Sequence, residues 1–226
     1  MNKILGTIVL AVVILSLSRM SAGQAGAASS QDQPSLADQL LDAVHRGDAA
    51  VVEQLLAKGV SIDARGKDEL TPLIVAAASN KSDMVELLLK KGAGIDLKDA
   101  RGDTALHYAV MVSDVEAVKL LLNKGASISV QEEGGLTPLM LSVVSGSKEI
   151  VKLLLDHGAN VDARDKNGFT ALMAASGGGL LDMMKLLLDH GANIDAKSDN
   201  GSTALKLAES NGKPEAAALL RERGAK

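Results

Sequence analysis

The chain contains no cysteine and no tryptophan, and only one tyrosine, one phenylalanine and four prolines among its 226 residues. Without cysteine it can have no disulfide framework, no thiolate nucleophile and no zinc site built on thiolates. The scarcity of aromatic rings leaves almost no surface on which nucleic-acid bases could stack. Because the formal net charge of −4 also repels phosphate, we expect no nucleic-acid partner.

A 33-residue period organises the residues that are present. Threonine occurs once per period, at Thr71, Thr104, Thr137, Thr170 and Thr203. A leucine follows two residues after each threonine, and glycine recurs at a third phase from Gly59 to Gly224. Hydrophobic residues make up 46% of the chain and aromatic residues 1%, so the core must be aliphatic. Such regular spacing predicts a stack of structural repeats.

Each period contains signals for two helices and a turn. The threonine can cap the first helix, and Pro72 and Pro138 fit the first helical position because their missing N–H is not needed there. A glycine such as Gly158 can adopt the left-handed conformation that ends the second helix. The sequence Asp165-Lys166-Asn167-Gly168 favours a short hairpin. One period alone cannot bury its apolar faces, so we expect successive periods to stack.

Four periods open with closely related motifs. These are Leu70-Thr71-Pro72-Leu73, Gly102-Asp103-Thr104-Ala105-Leu106-His107, Gly135-Leu136-Thr137-Pro138-Leu139 and Gly168-Phe169-Thr170-Ala171-Leu172. Each is followed by a leucine run and then by Gly-Ala. In these motifs the chain resembles ankyrin repeats, and the resemblance covers everything after Pro34. It implies an all-α repeat fold, an ankyrin-type solenoid of about six helix-turn-helix units with short β-hairpin loops.

The period and the resemblance predict the domain organisation. An N-terminal capping repeat (35–65) is followed by four full repeats (66–98, 99–131, 132–164 and 165–197) and a C-terminal capping repeat (198–226). Two positions depart from the pattern. Glu69 stands where the other repeats have glycine, which leaves the conformation of that hairpin open. We interpret Gly177-Gly178-Gly179 as a flexible loop between the two helices of its repeat.

The resemblance also implies where a partner binds. In ankyrin-like stacks the partner usually lies against a concave face formed by hairpin tips and the exposed edge of each first helix. Carried over by phase, the predicted partner-binding residues are Lys67, Asp68, Leu70, Arg101, Asp103, Met111, Val112, Glu133, Leu136, Val144, Lys166, Asn167 and Phe169. Leu70, Leu136 and Phe169 share one hairpin phase and form an apolar interaction strip, unless they fold down against the neighbouring hairpins.

The histidines have structural explanations. His157 and His190 each lie between Asp and Gly-Ala, in the last turn of a second helix, where imidazole complements the negative helix end. Equivalent residues of adjacent repeats are about 10 Å apart, too far for two imidazoles to share one metal ion. His107 is expected to hold the start of a first helix. We therefore predict no catalytic residues, no metal site and no cofactor.

The first 27 residues have the layout of a secretory signal peptide. Lys3 precedes an apolar run at residues 4–17, and small residues surround a cleavage point after Ala27. The run is shorter than the roughly 20 residues that span a membrane, although an uncleaved signal-anchor is the alternative. Residues 28–34 are small and polar, and we interpret them as a disordered tether. These features predict a bacterial periplasmic or secreted protein, with anchorage in the cytoplasmic membrane as the alternative.

The function expected from these features is that of an exported, monomeric, non-enzymatic scaffold that binds one or more proteins. Two other functions stay open. An uncleaved N-terminal segment would make the chain a membrane-anchored organiser of a complex. Secretion from the cell would allow it to act as an effector that binds host proteins.

Overall fold

The computed structural model describes residues 34–226, which form two compact units, residues 34–126 and Ser127–Lys226. The predicted signal peptide, and the predicted tether up to residue 33, lie outside the described residues. The division between the compact units falls within the predicted repeat 99–131, after its second helix.

Twelve α-helices occur in residues 34–226, and they are arranged as six consecutive pairs. In the first compact unit these are α1 (Leu36–Arg46), α2 (Ala49–Ala57), α3 (Pro72–Ala78), α4 (Ser82–Lys90), α5 (Ala105–Met111) and α6 (Val115–Asn123). In the second they are α7 (Pro138–Ser145), α8 (Lys148–Asp156), α9 (Ala171–Gly178), α10 (Leu181–Asp189), α11 (Ala204–Ser210) and α12 (Pro214–Glu222). The six pairs confirm the predicted all-α repeat fold.

Within each compact unit the helices pack in two layers. The first helix of a pair contacts the first helix of the next, as α1 does with α3 and α3 with α5, or α7 with α9 and α9 with α11. Second helices contact second helices in the same way, as α4 does with α6 and α8 with α10. No helix in residues 34–226 has the length and apolarity needed to cross a membrane.

Threonine caps the first helix of each pair from α3 onward, as the period predicts. The Oγ1 atoms of Thr71, Thr137, Thr170 and Thr203 accept a hydrogen bond from the backbone N–H three residues on, at 3.2–3.4 Å. Thr104 forms a capping box with His107, whose Nδ1 accepts the Thr104 N–H at 3.1 Å. His107 is fully buried, which confirms its predicted structural role.

The core is built from leucines that recur with the period. Leu73, Leu106, Leu139 and Leu172 are buried in the first helices, and Leu88, Leu121, Leu154 and Leu187 are fully buried in the second helices. Burying one leucine side chain stabilises a fold by roughly 1.5–3 kcal/mol. The repeat therefore encodes its own stabilising contacts once in every 33 residues.

The interpretation of Gly177-Gly178-Gly179 as a loop is wrong. Helix α9 continues through Gly178, and only Gly179, with a φ of 69°, adopts the left-handed conformation that ends it. The amide of Asn211 donates to the carbonyl of Gly177 at 3.1 Å and helps hold this last turn. Packing and capping therefore outweigh the low helix propensity of two glycines.

Glu69, which replaces the glycine of the other repeats, adopts a left-handed backbone with a φ of 60°. Asp68 beside it has a φ of 58°, and residues Lys67–Glu69 form a 3₁₀ turn. The N–H of Gly66 still donates to the carbonyl of Leu70 at 3.0 Å, so the ends of the hairpin stay closed. The substitution of glycine keeps the hairpin but strains its backbone.

We expect Glu69→Gly to raise the free energy of unfolding by about 1 kcal/mol, because glycine adopts a positive φ without a steric penalty. Urea unfolding followed by circular dichroism measures this change. Glu69→Ala is the matched control: it removes the same carboxylate and leaves the strain, so it should bring no gain. Equal effects of the two variants would contradict the strain.

Candidate functional site

The five hairpin tips are residues 66–70, 99–103, 132–136, 165–169 and 198–202. Four of them share one turn, seen in the tip that begins at Asp99. The Asp99 N–H donates to the carbonyl of Asp103 at 2.9 Å, and the Gly102 N–H donates back to the carbonyl of Asp99 at 3.1 Å. Gly102 has a φ of 83°, as a three-residue hairpin with a glycine bulge requires. The predicted hairpin loops are therefore tight turns, and residues 34–226 contain no β-strand.

An acidic side chain at the first position closes three of these turns. Asp99 Oδ1 accepts the backbone N–H groups of Arg101 and Asp103, both at 2.9 Å. Asp165 Oδ1 accepts two N–H groups at 2.8 Å in the same pattern, and Glu132 does so with its two oxygens. The sequence predicted the turn at Asp165, but not that Asp99 and Glu132 close their turns in the same way. The signal was the recurrence of Asp or Glu one period apart at these three positions.

Neighbouring tips within a compact unit are joined by backbone hydrogen bonds. In the first unit the Ala100 N–H donates to the carbonyl of Asp68 at 3.0 Å. In the second unit the N–H groups of Lys166 and Asp199 donate to the carbonyls of Gly134 and Asn167, at 3.2 and 3.0 Å. Each link joins residues that are one repeat apart. The tips are therefore held as connected platforms rather than as independent loops.

Side chains just before the tips add a second set of links between repeats. Arg65 Nη1 donates to the carbonyl of Lys98 at 2.5 Å in the first compact unit. In the second unit Gln131 Nε2 donates to the carbonyl of Arg164 at 2.9 Å, and Arg164 Nη1 donates to the carbonyl of Lys197 at 2.8 Å. Arg65, Gln131 and Arg164 lie at one phase of the period, and each of these hydrogen bonds joins residues that are 33 positions apart.

The predicted partner-binding residues of the first compact unit differ in exposure. Lys67 and Asp68 are exposed at their tip, whereas Leu70 is half-buried. Met111 and Val112 are half-buried at the C-terminal end of α5. Arg101 and Asp103 lie in the next tip, 99–103, where Arg101 is partly exposed and Asp103 is buried. A partner could touch the charged tip residues directly and the apolar ones only along their exposed edges.

The second compact unit places its predicted residues on two tips and one helix end. Glu133, Lys166 and Asn167 are exposed, and Leu136 and Phe169 are half-buried. Val144, near the end of α7, is 40% exposed, which is high for a large apolar side chain. Leu70, Leu136 and Phe169, which form the predicted apolar strip, are all half-buried. They are therefore neither fully exposed to a partner nor fully folded down against the neighbouring hairpins. Their role in binding stays a prediction.

Arg101 is the most constrained charged side chain of the predicted surface. Its Nη2 donates to the hydroxyl of Tyr108 at 2.7 Å, and that hydroxyl donates to Asp99 Oδ2 at 2.8 Å. Nη2 also lies 3.4 Å from Asp103 Oδ2, and the guanidinium carbon is 5.9 Å from the centre of the Tyr108 ring. The Arg101 side chain is nevertheless 38% exposed. An arginine that would otherwise be mobile is fixed at the surface.

Within the network of Arg101, Asp103 and Tyr108, only Arg101 is exposed enough to contact a partner, and the other two hold it in place. Asp103 is 5% exposed, so it positions Arg101 and offers little surface to a partner. Tyr108 is 4% exposed and was not among the predicted residues, because a tyrosine inside a first helix resembles an ordinary core residue. Only its hydroxyl contacts distinguish it. The sequence signal was the chain's one tyrosine, placed seven residues after an arginine.

Burial and the interactions with Asp99 raise the pKa of Tyr108 above its ordinary value of 10.0. Burial by itself would lower the pKa of Arg101, but the interactions with Tyr108, Asp103 and Asp99 outweigh it and the pKa is raised. Tyr108 therefore stays a neutral phenol and Arg101 stays a cation throughout the physiological range. The hydrogen bond between these two side chains therefore does not depend on pH within that range.

His157 and His190 lie at the C-terminal ends of two second helices. His157 and His190 follow α8 and α10, and each Nδ1 is 2.8 Å from the carbonyl four residues earlier. His190 Nε2 is 3.8 Å from Asp156 of the preceding repeat. Among residues 34–226 no group of three or more histidine or acidic side chains is arranged to hold a metal ion. The helix-end role predicted for both histidines is confirmed.

The chain also matches the model of a known family. The family described as Ankyrin repeats (3 copies) matches residues 40–132, 93–165, 114–198 and 162–226. These overlapping matches extend over residues 40–226, far more than half of the chain. No curated protein matches the chain.

We expect the phenol of Tyr108 to resist ionisation until well above pH 10.0 in the folded chain. Since its pKa is raised on folding, it contributes stability that is fully present below pH 10.0 and is lost as the pH rises through the folded pKa. The ultraviolet absorbance of phenolate reports this ionisation without ambiguity, because the chain has one tyrosine. Ionisation near pH 10.0 before unfolding would contradict the network.

Proposed function

The chain belongs to the ankyrin repeat family, and from this membership we propose that it is a scaffold whose partner protein contacts the hairpin tips and the adjoining ends of the first helices. Ankyrin repeats are generally protein–protein interaction modules. The observation that carries the choice of surface is that the tips combine a hydrogen-bonded backbone with exposed side chains that do not follow the period. The second position of the tips is the clearest example, because it is exposed in every tip and is occupied by Lys67, Ala100, Glu133, Lys166 and Asp199.

The energetic argument concerns the cost of ordering. Binding through a flexible loop loses about 0.5–1.5 kcal/mol for each side chain that must be immobilised. The tips reduce this loss, because their backbones are already fixed by links such as Lys166 to Gly134 and their turns by acids such as Asp165. Arg101 is fixed as well, by Tyr108 and Asp103. Arginine is also among the residues enriched where interface energy concentrates.

We further propose that the scaffold is a monomer without enzymatic activity. The ankyrin repeat family is typically a non-enzymatic scaffold. The titratable residues at the tips support this, since Asp99, Asp165 and Glu132 accept backbone hydrogen bonds that close their turns. A general base must be able to reach a proton of the substrate. These carboxylates are instead engaged in holding the fold.

The place of action proposed for the scaffold is the bacterial periplasm or the exterior of the cell. The support is the N-terminal sequence: a lysine, the apolar run at residues 4–17 and small residues before a cut after Ala27. The two alternatives are a membrane-anchored organiser that retains this segment and a secreted effector that binds host proteins. Retention of the N-terminal segment would indicate the membrane-anchored organiser, whereas its removal would indicate export.

Capture from the exported fraction of the source bacterium tests the binding surface. We expect Val144→Ser, Lys166→Glu and Asn167→Ala together to lower recovery of the main cross-linked partner about tenfold, a loss typical of an interface hot spot. These side chains are exposed, so the melting temperature should stay close to that of the unaltered chain. Quantitative mass spectrometry measures the recovery.

The control for this capture experiment is Lys185→Glu, which changes an exposed lysine on α10 away from the tips. It introduces a charge reversal of the same kind as Lys166→Glu. Recovery should be unchanged. A partner that is lost with Lys185→Glu and kept with the triple variant would bind the second helices, and the proposed surface would be wrong.

Intact mass measurement tests export. Purified from its source, the mature protein should lack the first 27 residues, because the sequence predicts cleavage after Ala27. Recovery in the soluble exported fraction should accompany this mass. A full-length mass in the membrane fraction would instead establish the anchored alternative.

A further inference from the structure

Apart from the links at the hairpin tips, another series of hydrogen bonds, here called the aspartate ladder, joins the loops that follow the second helices. The Gly94 N–H donates to Asp63 Oδ1 at 2.8 Å in the first compact unit. In the second unit the Asn193 N–H donates to Asp162 Oδ1 at 2.8 Å, and the Lys226 N–H donates to Asp195 Oδ1 at 2.9 Å. Each donor lies 31 residues after its aspartate. The period thus places a carboxylate in front of the same backbone N–H at three positions of the described chain.

Ser129 interrupts this ladder in the second compact unit. It occupies the aspartate position, 33 residues before Asp162, and the corresponding donor is the N–H of Asn160. Within residues 34–226 this N–H makes no hydrogen bond, and neither does the Ser129 hydroxyl. A serine side chain is too short to replace the carboxylate of aspartate here. The donor therefore stays available, whereas its equivalents at Gly94, Asn193 and Lys226 are engaged.

A crevice of about 310 Å³ lies at this interruption, and both Ser129 and Asn160 line it. Arg164 is the only ionisable residue in its lining, and Ile128 and Leu139 are among the apolar residues. The equivalent crevice one repeat later contains the carboxylates of Asp162 and Asp195. Serine thus replaces one of these two aspartates in the earlier crevice, whose lining contains Arg164 and no acidic residue.

We propose that this crevice binds a small aliphatic carboxylate, whose oxygens take the place that the aspartate side chain occupies in the other repeats. The carboxylate accepts the Asn160 N–H, as Asp162 Oδ1 accepts that of Asn193. The guanidinium of Arg164 supplies a favourable potential while its Nη1 and Nη2 stay bound to Lys197 and Asp199. The aliphatic part of the ligand packs against Ile128 and Leu139.

Amide chemical shifts of the ¹⁵N-labelled protein test this site, with sodium acetate and sodium butyrate as probes and sodium chloride at equal ionic strength as the reference. The Asn160 amide should shift and saturate with both acids and stay unchanged in chloride. Butyrate should bind more tightly, by about fourfold for each methylene group that becomes buried. Asn193 is the internal reference, because its N–H is already bound to Asp162.

Two variants separate the site from a non-specific effect. Ser129→Asp supplies the carboxylate from the chain itself, so the response of Asn160 to both acids should be lost. Ser129→Ala leaves the Asn160 N–H and Arg164 in place, so the response should persist. A shift that does not saturate, that chloride reproduces, or that survives Ser129→Asp would overturn the proposal.

Discussion

Burial of leucine between successive helical pairs is the interaction on which the rest of the structure depends. Leu106 and Leu121 are buried in the two layers of the first compact unit, as Leu139 and Leu154 are in the second. This packing sets the spacing between the repeats of a unit, and the spacing brings neighbouring hairpin tips within that unit to hydrogen-bond distance of one another. The binding surface is therefore a consequence of the core.

The tips show how a regular framework can carry irregular side chains. Their turns are closed by residues that follow the period, such as Asp165 and Gly168, and their exposed positions do not follow it. Arg101 is held by Tyr108 and Asp103, a network found in one repeat of the described chain. Specificity in this scaffold is thus expected from a few positions on turns whose backbone hydrogen bonds are the same in four of the five tips.

The sequence predicted the helices well because each has local signals that agree with its packing. Thr137 and Pro138 begin α7, and Leu139 of this helix and Leu154 of α8 are buried in the core. The three-glycine segment was misread because local propensity was weighted above packing, and α9 continues to Gly178. The role of Tyr108 and the interruption at Ser129 depend on contacts between residues far apart in the chain, which propensity and spacing do not contain.

Hydrogen exchange at the tip amides tests most directly whether the hairpins are a pre-organised platform. The amides of Ala100, Lys166 and Asp199 donate to the preceding tip, whereas that of Lys67, in the first tip, makes no hydrogen bond within residues 34–226. The first three should exchange more slowly than Lys67 by at least about tenfold. Exchange of all four at the rate of an unprotected peptide would show that the tips are independent loops, and would contradict the account.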